Sequence, residues 1–303
     1  PERIVVTTGS SAGFILTFLA AFDAGDRVLL GAPGYPSYRN ILASLGVEVV
    51  SHAVGPEDGW CLNAEHVSAD VEAQREGSGL AGVMFASPAN PTGSVMSPVV
   101  LRETIRASRA AGATVISDEI YHGLVYGEAR AETALAHDDD VIVVNSFSKY
   151  HSMTGWRIGW LVVPDDMVRA IERLAQHLFI SAPTLSQYAA VGALSDAARS
   201  ELEGYRAGYA ANRDRLLSAL PKMGLSAWAP ADGAFYLYVD TTPWGADSLS
   251  LAGCILEETD VAVTSGVDFD PERGRHYMRL SYARRGEDIE DGIARLQAFA
   301  NRI

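Results

Sequence analysis

Only two lysines stand among the 24 lysines and arginines of this 303-residue chain, Lys149 and Lys222. Lys149 lies between two apolar runs, residues 141–144 and 158–163, each of which reads as a buried strand. A lone lysine at a strand end is ordinarily a solvated charge. A lysine amine can also lose its proton and attack a carbonyl carbon, which a guanidinium cannot do. Its neighbours suit the second use. Ser146 and Ser148 bring hydroxyls, and Arg157 brings a fork of donors matched to phosphate or carboxylate oxygens.

Further groups with chemical potential lie upstream. The β-branched run 114–117 ends in Asp118-Glu119-Ile120-Tyr121. That places a carboxylate at the C-terminal end of a strand, where open α/β sheets bind ligands. Gly9-Ser10-Ser11-Ala12-Gly13 separates a strand pattern from an apolar helical one, so it can turn free N–H groups and a positive helix end toward an anion. It lacks the Lys-Ser/Thr ending of a nucleotide-phosphate loop and the spacing of a dinucleotide fingerprint. Ser87-Pro88-Ala89-Asn90-Pro91-Thr92-Gly93 is a turn by composition. Tyr35 and Tyr38 open a helix, and Tyr38 reads as packing. Arg279 sits in an alternating strand, 277–282. Lys222, after Pro221, reads as solvated, and core packing is the expectation for Trp156 and Trp160.

These groups need a scaffold. Strands are expected at 4–8, 26–30, 47–50, 82–86, 114–117, 141–144 and 158–163. Helices are expected at 14–22, 63–76, 97–111, 165–178, 184–194 and 196–220. Beyond 220 the texture changes to antiparallel strands at 225–228 and 234–239, a helix at 248–258, a strand at 277–282 and a closing helix at 288–302. The reading is α/β, with a three-layer αβα large domain around a mostly parallel sheet over 1–195 and a smaller α+β domain over 196–303. The chain starts at Pro1 and enters a strand at once, so a natural segment ahead of it is expected.

Composition narrows the function. Hydrophobic residues make up 48%, enough for a substantial core. The formal charge of −14, with no basic stripe, argues against nucleic acid and anionic membrane as partners. No apolar run is long enough to span a bilayer. Two cysteines in dissimilar contexts, Cys61 and Cys254, fit a reducing cytoplasm. Seven histidines show no metal-ligand spacing, so no metal is expected.

Taken in order, Gly9-Ser10-Ser11-Ala12-Gly13, Tyr35, Asn90-Pro91-Thr92-Gly93, Asp118-x-x-Tyr121, Ser146-x-Ser148-Lys149, Arg157 and Arg279 resemble the class I/II aminotransferases of fold type I, over nearly the whole chain. The resemblance implies pyridoxal 5'-phosphate, held as an imine (the internal aldimine) on Lys149. It implies Asp118 against the pyridine nitrogen, Tyr121 and Asn90 on the phenolic oxygen, and Tyr35 stacked on the ring. Ser10, Ser11, Ser146, Ser148 and Arg157 would hold the phosphate, and Arg279, with Asn90, the substrate α-carboxylate. The implied reaction is ping-pong amino transfer between an L-amino acid and a 2-oxo acid, in a homodimer with shared active sites. The same residues also serve C–S lyases and other elimination enzymes, and an aminotransferase-like effector domain of a transcription regulator.

Overall fold

The computed structural model describes residues 1–73, 79–245 and 247–303. In chain order the elements are β1 (Ile4–Thr7), α1 (Ser10–Ala21), β2 (Arg27–Ala32), α2 (Pro36–Ser44), β3 (Glu48–Ala53), α3 (Ala64–Ala73), β4 (Leu80–Ala86), α4 (Pro98–Ala110), β5 (Thr114–Asp118), β6 (Ile142–Ser146), β7 (Gly159–Val162), α5 (Asp165–Leu178), α6 (Thr184–Ala193), α7 (Asp196–Ala219), β8 (Tyr236–Asp240), α8 (Ser248–Thr259), β9 (Thr264–Ser265), β10 (Tyr277–Ser281) and α9 (Gly286–Ala300). Positions 74–76 of the helix expected at 63–76 lie outside the described residues.

The larger sheet has seven strands in the order β1-β7-β6-β5-β4-β2-β3. Only β7 runs against the others. The inner strands β2, β4, β5 and β6 are largely buried on both faces, as helices on either side demand. Alternation sorts their side chains. Leu30, Met84, Ile116, Ile142 and Val144 pack with Phe14, Phe18, Leu42 and Ile171 from α1, α2 and α5. Leu29, Val83, Phe85, Val115 and Val143 pack with Val67, Leu101 and Ile105 from α3 and α4. The result is the expected three-layer αβα arrangement. Because all strands but β7 point one way, the ends of β1, β2, β4, β5 and β6 and the start of β7 share one edge of the sheet.

Local chemistry sets the helix starts. Ser97 accepts from the Val100 N–H at 3.3 Å, with Pro98 at the first helical position of α4. Ser195 does the same for α7 from the Ala198 N–H, and Asp247 caps α8 from the Leu249 and Ser250 N–H groups.

The C-terminal sheet, in the order β8-β10-β9, is antiparallel. Its core joins Leu237, Val239, Met278 and Leu280 to Leu216 of α7 and to Ile289 and Phe299 of α9. Residues 225–228 do not form the strand read from sequence. Only Trp228 bridges to Val239, and the run stops at Pro230, which has no N–H to continue a ladder. The two-residue β9 carried no pattern to read. Tyr205 is exposed, not on the packed side of α7, and its hydroxyl donates to Glu201 one turn back. Trp156 is also exposed; Trp160 alone packs, edge-on to Phe147 at 5.0 Å.

Arg27 of β2 and Asp70 of α3 form a buried ion pair at 2.9 Å. Losing the buried carboxylate costs less than the roughly 3–5 kcal/mol of a buried charge left alone, because Glu48 stands 3.5 Å from the Arg27 Nε. Asp70→Ala is therefore expected to lose about 2–3 kcal/mol in urea unfolding, and Arg27→Met with Asp70→Leu to recover most of it.

Candidate active site

The shared edge of the large sheet and one face of the C-terminal sheet enclose a cavity of about 340 Å³. Ser10, Ser11, Tyr35, Asn90, Asp118, Tyr121, Ser148, Lys149, Arg157 and Arg279 all line it. Of the residues singled out in the sequence, only Ser146 does not. It lies one layer back, donating its hydroxyl to the Ile158 carbonyl at 2.9 Å and accepting from the Ser148 N–H at 3.1 Å. Its effect on the cavity is to fix the backbone just before Lys149.

One end of the cavity is cationic. Gly9 ends the turn after β1 with φ +80°, a left-handed value that favours glycine. A Cβ there would come within 2.6 Å of the Arg157 guanidinium. The missing side chain lets Arg157 lie against the start of α1, where the first helical N–H groups have no partner within the helix. Arg157 itself has φ +51°, and it donates to the Thr154 carbonyl at 2.9 Å.

The other end is anionic and dry. Asp118, at the tip of β5, is 3% exposed. It accepts from the Ile120 N–H at 3.0 Å and from the Tyr38 hydroxyl. Burial pushes its carboxyl up to about 6; the hydrogen bonds from Tyr38 and Ile120 and the Lys149 charge pull it down, while Glu119 adds to the rise. Lys149 lies between the two ends, 5.6 Å from the centre of the Tyr121 ring and 5.7 Å from that of Phe235. Burial lowers its amine below the ordinary lysine value. Asp118 opposes that shift, and Arg279 and Arg157 add to it. An amine so placed is a readier nucleophile and proton carrier.

Arg279 of β10 closes the third side. It donates to the Asn90 side-chain oxygen at 2.9 Å, and its guanidinium lies 4.2 Å from the Tyr236 ring centre and 4.7 Å from that of Phe269. Asn90 belongs to a turn docked on the C-terminal part of the chain. Gly93 has φ +66°, and a Cβ there would meet the Ala231 Cα at 2.8 Å; the Gly233 N–H donates to the Gly93 carbonyl at 2.8 Å.

Sequence reading missed two tyrosines. Tyr38, read as packing, does pack in the core beside α1 and also bonds Asp118. Its spacing of three from Tyr35 puts both on one helix face, with rings edge-to-face at 5.3 Å. Tyr236 lines the cavity with its hydroxyl 3.0 Å from that of Tyr121. It stands in the strand expected at 234–239, and nothing local marks it as facing the cavity.

A phosphorylated pyridine aldehyde fits these residues. Its phosphate suits the Gly9 cradle with the start of α1 and Arg157, its ring nitrogen suits buried Asp118, and its aldehyde carbon suits Lys149. Among the described residues no cluster of three or more His, Cys, Asp or Glu side chains is placed to hold a metal ion.

The buried carboxyl leaves a mark on stability. Asp118 keeps its proton up to about pH 6 in the fold but has an ordinary value of 3.8. Between those values the folded chain binds more protons than the unfolded one. Stability from this group is therefore full below about pH 4 and falls as pH rises to 6, by on the order of 2–3 kcal/mol. Cofactor-free Asp118→Asn is accordingly expected to unfold at higher denaturant than the parent at pH 7, with the gain shrinking toward pH 4.

The model of the aminotransferase class I and II family matches residues 1–296. A valine–pyruvate aminotransferase of Mycobacterium tuberculosis is 46% identical over 99% of this chain and 76% of its own length. A (5-formylfuran-3-yl)methyl phosphate transaminase of Methanocaldococcus jannaschii is 34% identical over 100% of this chain and 76% of its own. The crystal structure of an aminotransferase from Mycobacterium tuberculosis superposes with a TM-score of 0.95 at 44% identity, covering 100% of this chain and 77% of that one. Pyridoxal phosphate is the cofactor of such enzymes, and amino acids and 2-oxo acids are their substrates. The chain belongs to the class I and II aminotransferases, and it transfers amino groups.

Proposed function

We propose that the chain moves the amino group of a small apolar L-amino acid to a 2-oxo acid such as pyruvate by a ping-pong route, with Lys149 as the cofactor's covalent anchor. The observation that carries this reading is the placing of Lys149 between a buried carboxylate and an arginine-lined helix start in one cavity. Pyridoxal phosphate, when bound, supplies an aldehyde that condenses with amines and a ring that accepts an electron pair.

The protein's own groups do the rest. Arg157, Ser10, Ser11 and Ser148 bind the phosphate. Asp118 holds a proton on the ring nitrogen. Tyr121 and Asn90 donate to the phenolic oxygen, and Tyr35 covers the ring. Arg279 grips the substrate α-carboxylate and so orients Cα. Lys149 Nζ moves the proton away from Cα, and its lowered proton affinity leaves it free to accept one. Substrate class follows from charge. Among the described residues the cavity's cations are Lys149, Arg157 and Arg279, each already assigned, while Phe14, Ile120 and Tyr236 line it with apolar surface. The valine–pyruvate relative agrees with that choice.

The assembly proposed is a homodimer. Leu185, Tyr188, Val191 and Leu194 stand 78%, 75%, 72% and 62% exposed along one side of α6 and just past its end, an apolar stripe that supports burial against a second copy. We also propose 1–195 and 196–303 as two domains, each with its own sheet and core, and a cytoplasmic setting, which two free cysteines support.

Borohydride reduction of the loaded enzyme is expected to fix the cofactor's mass on the Lys149 peptide. Lys149→Ala should lose that tag and about 10³-fold or more of kcat. Arg279→Ala should raise KM for amino donors about 10- to 100-fold. Valine and alanine should outperform aspartate as donors; preferential use of aspartate would overturn the substrate assignment. In sedimentation, Tyr188→Asp is expected to shift the protein toward monomer.

A further inference from the structure

Tyr236 touches both parts of the site that must act together. It lies on β8 opposite Ser281 of β10, while Arg279 lies opposite Tyr238. Tyr236 and Arg279 are therefore diagonal neighbours on one face of the antiparallel pair, the arrangement in which long side chains meet. The guanidinium sits 4.2 Å from the Tyr236 ring centre, a cation–π contact. At the far end of the same ring, the hydroxyl is 3.0 Å from the Tyr121 hydroxyl. Tyr236 and Tyr121 are 6% and 4% exposed, so water does not replace either partner.

Each phenol has one proton to donate. With its O–H donating a hydrogen bond to the cofactor's phenolic oxygen, Tyr121 can only accept from Tyr236. The two hydroxyls then form a directed chain, in which the donation by Tyr236 strengthens the one by Tyr121. Arg279, charged and stacked on the ring, draws electron density from Tyr236 and makes it a better donor. A carboxylate that neutralises Arg279 weakens that pull.

We propose that Tyr236 is a positioning residue that transmits occupancy of the Arg279 carboxylate site to Tyr121, and through it to the proton affinity of the Lys149–cofactor linkage. The inference rests on the roles assigned to Tyr121 and Arg279 under the proposed function. The sign follows from charge. Donors to the phenolic oxygen favour the linkage in its unprotonated form, where the negative charge on that oxygen is least shared. Weakening the chain therefore raises the linkage pKa, and a bound carboxylate does the same.

The test is a pH titration of the holoenzyme's cofactor absorbance, with and without 3-methylbutanoate, a carboxylate with no amine. In the parent enzyme the carboxylate is expected to raise the spectral pKa. Tyr236→Phe keeps the ring under Arg279, so it should fold normally. It is expected to raise the spectral pKa by about 0.5–1 unit without ligand and to diminish the carboxylate-induced rise, the remainder passing through Asn90, which bonds Arg279 and is assigned to the same oxygen. Its KM for amino donors should change less than 3-fold, whereas Tyr236→Leu, which removes the ring, should raise KM. The inference is overturned if Tyr236→Phe titrates like the parent with an undiminished carboxylate response. Tyr121→Phe separates the layers. If it raises the spectral pKa and Tyr236→Phe does not, the relay alone is wrong. If Tyr121→Phe leaves the pKa unmoved, the assignment of Tyr121 falls and the relay with it.

Discussion

A carboxylate held out of water governs this site. Asp118 ends an apolar strand in the middle of the large sheet, and an ionised group there is costly unless something compensates it. The surroundings supply partial compensation. Tyr38 and the Ile120 N–H donate to it, and Lys149 stands near enough to favour the charge. The remainder is left for a cation arriving from outside the chain, and a protonated pyridine would supply one. A buried carboxylate left short of a cation is a common way for a site to combine affinity with pre-organisation.

The opposite end works by the reverse logic. There the chain concentrates positive potential, from Arg157 and the start of α1, with Gly9 as the spacer that lets them meet. A molecule that is anionic at one end and basic at the other has one favourable orientation between them. Lys149 lies between these poles, so a molecule oriented by them would meet its amine. The parallel sheet makes this possible, since residues far apart in sequence converge at one edge through strand direction alone.

Much of this was readable because it rests on residue type at fixed spacing. A rare lysine between apolar runs, a carboxylate at a strand end and a glycine turn before a helix each carry their chemistry on their face. The αβα layering was readable for a similar reason, in that apolar runs with helices between them admit few arrangements. What escaped depended on distant pairing. Tyr236 matters because β8 lies beside β10 and faces Tyr121, 115 positions away, and no local pattern contains that. Ser146 reads as a free hydroxyl until the Ile158 carbonyl is seen to occupy it. Tyr38 looked like packing, and it packs, but its hydroxyl reaches past the core to Asp118. Residues 225–228 had a strand's composition, but only Trp228 bridges to β8 before Pro230 ends the run.

The seam at Gly93 bears on how such an enzyme can diversify. Gly93 and Gly233 meet backbone to backbone, and a methyl group at Gly233 would in turn strike Pro88 at 2.6 Å. The two halves of the cavity are thus clamped at van der Waals contact by residues with no side chain to adjust. New substrate preferences cannot readily arise by sliding Arg279 away from Asn90, because the clamp would open first. They must come from the side chains that fill the space between, so evolution of this pocket proceeds by exchanging its furniture while its walls stay fixed.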